Sequence, residues 1–111
     1  MADSKIEVRE YITEDGRNPF QEWLIALRDR EARARIRIRL DRIQLGNLGD
    51  AKSVGRGVSE LRIPYGPGYR LYFGREGTSI VILLCGGNKQ SQRQDIAEAQ
   101  GFWADYNGRK R

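Results

Sequence analysis

The sequence contains no histidine, and that absence removes the commonest general base, the commonest metal ligand and every Ser-His or Cys-His nucleophile pair. Cysteine is almost as scarce. The single Cys85 lies inside an apolar run, so no disulfide can form within the chain, a zinc site is disfavoured, and a buried core thiol in a reducing cytoplasm is expected. Long apolar runs are missing too. The longest, Ile80 to Cys85, is far too short to span a bilayer, and the opening MADSK lacks the apolar core of an export signal. The expectation is a soluble, cytoplasmic protein of one domain, 1–111, with no membrane partner and no cofactor or metal.

Basic residues are abundant. A net charge of +5 and a pI near 9.7 suit nucleic acid or an acidic partner. The stretch Val58 to Lys89 organises the rest, because three apolar, β-branched and aromatic runs (Val58 to Ile63, Tyr69 to Phe73, Ser79 to Cys85) alternate with Pro/Gly punctuation. That is the pattern of an antiparallel meander. In Gly66-Pro67-Gly68-Tyr69 the proline at the second position and the glycine at the third predict a type II turn. Strand alternation then puts Val58, Glu60 and Arg62 on one face and Ser59, Leu61 and Ile63 on the other. Tyr69, Leu71 and Phe73 extend the apolar face, with Arg70 and Tyr72 pointing the opposite way, so one side of the sheet should bury and the other should be basic. The uniformly apolar third run reads as a central strand covered on both sides, and Gly86-Gly87 as a flexible pair at its exit.

Ile6, Val8 and Ile12 alternate in a strand over 5–13, which completes a sheet of about four strands. Asn18-Pro19 opens a helix near 19–28, with Gln21 placed to close a capping box and Phe20, Trp23, Leu24 and Leu27 on one stripe. Asp29 caps a second helix, 30–45. Its segment 34–40 alternates with period two, but the stripe Ala32, Ile36, Leu40, Ile43 and the strong helix formers on either side favour helix over strand. Ile38 and Leu45 form a second apolar strip, and the arginines of this helix read as solvated charge. Gly46 to Gly57 is expected to be a mobile basic loop. Ser91 and Gln94 make a capping box for a last helix, 92–106, whose stripe is Ile96, Ala99, Trp103 and Tyr106, followed by a frayed basic tail from Asn107 to Arg111.

The resulting α+β order of N-terminal strand, helical hairpin, three-stranded meander and C-terminal helix is joined by the motifs GVSELRI, GPGYRLYF and ILLCGGNKQSQRQDI. From about Ile6 to Tyr106 the chain resembles the RelE/HigB-like toxins of type II toxin-antitoxin modules, nearest the subgroup called addiction module killer proteins. The resemblance implies a metal-independent endoribonuclease that cuts mRNA on the ribosome, with a cognate helix-turn-helix antitoxin encoded beside it. Carried over by position, the catalytic set is Arg62, Arg70 and Lys89. Glu60 stands where some relatives carry a basic residue, and reads either as the base or as an ion-paired partner of Arg62. Tyr72 joins the catalytic candidates, and Lys52, Arg56, Tyr65 and Gln90 the RNA-binding ones, with Tyr65 and Tyr72 ranked above Tyr69. RNA can be cleaved by its own 2′-hydroxyl, so such a protein must chiefly orient that oxygen and stabilise charge on the phosphoryl group. A ParE-like toxin that poisons a protein target such as gyrase, or an inactive scaffold, is the alternative.

Overall fold

Alternating side chains build a sheet here whose two faces are both covered. The computed structural model describes residues 5–110. Its elements are β1 (Glu7–Glu10), α1 (Pro19–Ala26), α2 (Arg30–Gln44), β2 (Ala51–Gly55), β3 (Val58–Ile63), β4 (Tyr69–Glu76), β5 (Ile80–Asn88) and α3 (Gln92–Arg109). The strands form one five-stranded mixed sheet in the order β1-β5-β4-β3-β2, an antiparallel run from β2 to β5 with β1 parallel beside β5. The fold is α+β.

One face carries Leu61, Ile63, Tyr69, Leu71, Phe73, Val81 and Leu83 against Phe20 of α1 and Ala32, Ile36 and Ile43 of α2. The other carries Val58, Tyr72, Ile82, Leu84 and Cys85 against Ile96, Ala99 and Trp103 of α3. The expected exposed basic face is therefore corrected. α3 closes most of that side, because its stripe needs an apolar floor and Val58, Tyr72 and Leu84 supply one. A bulge assists: Tyr72 faces Cys85 and Phe73 faces Leu83, so Leu84 is the additional residue and Leu84 and Cys85 both turn toward α3.

Several sequence expectations hold. Asn18 caps α1, its side chain accepting from Gln21 N at 3.0 Å, and Asp29 caps α2 by accepting from Glu31 N and Ala32 N. The period-two segment 34–40 is helical. Others change. Residues 46–57 are not all loop, since Ala51–Gly55 is an edge strand paired with β3 and the sheet gains a fifth strand. Neither capping box closes: Gln21 donates instead to Glu10, and Ser91 Oγ donates to Asp95 at 2.5 Å. The β3–β4 turn closes from Gly68 N to Tyr65 O, which puts Gly66 (φ 58) at the second position, while Gly68 keeps its positive φ of 80. Ile12 is exposed and Tyr11 is buried in its stead, packed on Phe102 and hydrogen-bonded to Asp105. The tail is helical to Arg109, and Arg111 lies outside the described residues.

Gly86 and Gly87 are a further correction. They lie inside β5 with no positive φ, so they are not a flexible exit. A Cβ on Gly86 would overlap the Trp23 ring, and one on Gly87 would overlap the Asp95 carboxylate. Consecutive glycines let α1 and α3 approach the same strand from opposite faces.

Candidate functional site

The ends of β3, β4 and β5 meet at one end of the sheet, beside the first turn of α3. Arg62 and Arg70 are direct cross-strand partners, and two residue pairs inward Glu60 faces Tyr72, all on the α3 side. Glu60 is fully buried. Its Oε2 accepts from Gln92 Nε2 at 2.8 Å and from Tyr72 OH at 3.2 Å, while Oε1 accepts from Arg62 Nε at 3.3 Å. Arg70 completes the ring, with Nε 3.5 Å from Glu60 Oε2 and Nη1 donating to Gly68 O at 3.0 Å. A buried carboxylate is tolerated only when charges and donors surround it, and here two guanidiniums, a phenol and an amide do so.

The electrostatics follow from that enclosure. Burial pushes the Glu60 carboxyl upward, but hydrogen bonds from Gln92, Arg62 and Tyr72 and the charge of Arg70 hold it below the ordinary range. Burial raises the Tyr72 phenol, and the adjacent Glu60 charge raises it further, so it stays protonated as a donor. Burial also raises the carboxyl of Asp95, partly opposed by the Ser91 hydroxyl, and drives the Cys85 thiol up to about 12. Cys85 is the inert core thiol expected from its setting.

Arg70 is the unusual member. Its side chain is 8% exposed, and its Nε is buried without a hydrogen-bond partner among the described residues. Arg62 is more open, with 43% of its side chain accessible. Gly68 stands between Arg70 and the exposed Lys89, since a Cβ on Gly68 would lie 3.6 Å from both Arg70 Nη1 and Lys89 Cβ. Lys89 N also donates to Pro67 O at 3.4 Å, which ties the β5 exit to the β3–β4 turn. Arg62, Arg70 and the backbone of Lys89 thus lie at one end of the sheet.

The remaining candidates divide. Glu60 and Tyr72 are in the cluster but enclosed, so neither is placed to take a proton from an incoming group. Lys52 is exposed on β2 opposite Glu60, one strand out on the same face. Gln90 is exposed beside Lys89, its backbone N bonded to Asn88 Oδ1 at 2.9 Å. Tyr65 turns to the opposite side, where its hydroxyl donates to Asp29 at 2.9 Å and Arg35 lies 4.6 Å above its ring. Arg56 occupies the β2–β3 turn with φ 54, roughly 20 Å along β3 from Arg62 at about 3.3 Å per residue. Those two do not join the cluster. Tyr69 packs on Trp23 at 6.2 Å and is buried, as alternation required.

Gln92 escaped the sequence reading. The signal was there, because Gln92 lies one turn before Ile96 on the stripe that continues to Ala99 and Trp103. A polar residue on a buried stripe needs a buried partner, and Glu60 is that partner.

No protein-family model matches the chain. It is 48% identical over 81 residues to an uncharacterized protein of Haemophilus influenzae, a match spanning 73% of this chain and 82% of that protein. The chain belongs to the same family as that Haemophilus influenzae protein.

Proposed function

We propose that the chain is the toxin of a type II toxin-antitoxin pair, a RelE/HigB-like, ribosome-dependent and metal-independent mRNA endoribonuclease of the cytoplasm. The observation that carries this reading is that Arg62 and Arg70 stand directly side by side at the end of the sheet, next to the turn that Lys89 borders, with Arg70 Nη2 given no acceptor among the described residues. A planar guanidinium can engage a phosphate through two parallel hydrogen bonds, and two of them with an ammonium suit the added charge of a phosphoryl transition state.

The chemistry is transesterification within the RNA. As the 2′-oxygen bonds to phosphorus it loses its proton to water, the P–O5′ bond breaks, and the departing 5′-oxygen takes up a proton from water. The products are a 2′,3′-cyclic phosphate and a 5′-hydroxyl. Arg70 and Arg62 hold the non-bridging oxygens and Lys89 adds charge from the exposed side. Glu60 is not the proton acceptor, since both of its oxygens are already engaged and its carboxyl is held acidic. Alignment of the 2′-oxygen then falls to the ribosome-bound substrate.

A partner antitoxin, of helix-turn-helix type and encoded adjacently, would keep such an enzyme in check. The exposed Ile38 on α2 and Leu45 at its C-terminal cap offer it an apolar foothold. A second reading, a ParE-like toxin that grips a protein target, is favoured by one feature: no free base stands in the cluster.

Purified protein added to translating ribosomes in EDTA, with magnesium replaced only as far as ribosome integrity requires, tests the first reading. Cleaved mRNA with cyclic-phosphate and 5′-hydroxyl ends supports it. Intact mRNA on intact ribosomes moves the function to the ParE-like reading.

A further inference from the structure

We propose that Glu60 is a positioning residue, a buried carboxylate that grips Arg62 and Arg70 by their Nε edges so that their outer nitrogens face the phosphate. This rests on the endoribonuclease reading above and specifies how its anion site is assembled. Every polar contact of Glu60 points the same way. Tyr72 on β4 and Gln92 on α3 fix the carboxylate from the interior, and the two arginines approach it from the sheet end. Both close approaches are through Nε, at 3.3 Å for Arg62 and 3.5 Å for Arg70. The fold gives Arg70 Nη1 one acceptor, Gly68 O, and among the described residues it gives Nη2 none. Two like charges directly opposite on neighbouring strands repel, and an unfixed pair would splay. A single carboxylate reaching both holds them parallel and concentrates the positive charge at their far ends.

Because Gln92 is the first residue of α3, the same device ties the start of that helix to the anion site. Orientation of the guanidiniums then depends on how α3 is seated. A general base in this position would instead need one oxygen free and a carboxyl near its ordinary range or above.

The test compares wild type, Glu60→Gln, and the double variant Tyr72→Phe/Gln92→Met, which leaves the charge in place but frees the carboxylate. Three measurements are made on each: cleavage on translating ribosomes over a range of pH, arginine Nε–H signals by NMR, and titration of those signals with inorganic pyrophosphate. For folded Glu60→Gln the expectation is a fall in kcat of about tenfold to a hundredfold with a small change in KM. Its pH profile should run parallel to that of wild type, and the Arg70 and Arg62 Nε–H signals should broaden. Loss of the acidic limb of the profile in Glu60→Gln would make Glu60 the base and overturn the proposal. So would wild-type cleavage and unchanged arginine signals. If Glu60→Gln does not fold, the double variant decides: a several-fold drop with shifted arginine signals supports positioning, and no change overturns it. A wild type that binds pyrophosphate through Arg70 yet leaves RNA intact would sink the endoribonuclease reading while leaving the positioning role standing.

Discussion

Arg62 and Arg70 face each other directly across β3 and β4, and the carboxylate that reconciles them, Glu60, is completely buried two pairs further in. The pair is held by a group that solvent never reaches. Removal of either arginine therefore disturbs more than an anion site, because Glu60 loses part of the positive charge that lets it stay ionised there.

Arg70 combines the proposed role on phosphate with a structural one as partner of Glu60, and experiment must separate the two. Arg70→Ala should lose nearly all cleavage, but it should also destabilise the fold by about 3 kcal/mol, since a buried carboxylate is stripped of a partner. Arg70→Lys keeps the charge and gives up the planar fork. It should fold with a melting temperature near wild type and cleave roughly a hundredfold slower. Thermal denaturation beside single-turnover cleavage reads both effects. An Arg70→Lys variant as active as wild type would show that bidentate geometry is not used.

Glycine substitutions test the strand that carries both helices. Gly86→Ala and Gly87→Ala should each cost about 1–3 kcal/mol, as overpacking does, because Trp23 and Asp95 occupy the space a Cβ needs. Gly101→Ala, in the interior of α3 with nothing near the added methyl, should instead stabilise by about 0.5–1 kcal/mol. Urea denaturation of the three variants measures the contrast. A tolerant Gly86 would mean that Trp23 is not seated as described.

Much of this architecture was legible in the chain. The stripes of α1 and α2, the caps Asn18 and Asp29, and the placing of Arg62 and Arg70 on one face of the sheet follow from periodicity and cap chemistry, all local properties, whereas their direct pairing depends on a turn one residue earlier than its Pro-Gly spacing suggested. What escaped is non-local. Alternation separates the two faces of β3 and β4 but does not say that α3 will lie over the polar one, so an enclosed Glu60 and Tyr72 looked like a solvated basic face. Strand β2 was hidden by its glycines and its short, mostly exposed sequence, since an edge strand needs only one partner and little apolar content. Gly86-Gly87 read as loop chemistry because the ring and carboxylate that demand them lie more than sixty residues upstream and eight residues downstream, respectively.

Glu60 and Asp95 should leave opposite marks on stability against pH. The folded carboxyl of Glu60 is held below its unfolded value, so its contribution is present above that value, about 4.3, and is lost as pH falls through the folded pKa. Asp95 has a raised carboxyl, so its ionised form works against folding near neutrality and ceases to as pH falls. Melting temperatures of Glu60→Gln should lie well below wild type at pH 7, with the gap narrowing below about pH 4. Asp95→Asn should show no such gap at pH 7. A Glu60→Gln gap that stays constant through acid would mean that the carboxylate is not charged in the folded protein.

The most direct test of the central claim is a map of RNA 5′ ends in cells after brief induction, wild type against the triple variant Arg62→Ala/Arg70→Lys/Lys89→Ala. That variant keeps a cation beside Glu60 and so should fold. Wild type should produce new 5′-hydroxyl ends within coding regions, and the triple variant should produce about a hundredfold fewer at equal protein level. A triple variant that cuts at the wild-type rate, or a wild type that arrests growth without new ends, would contradict the claim.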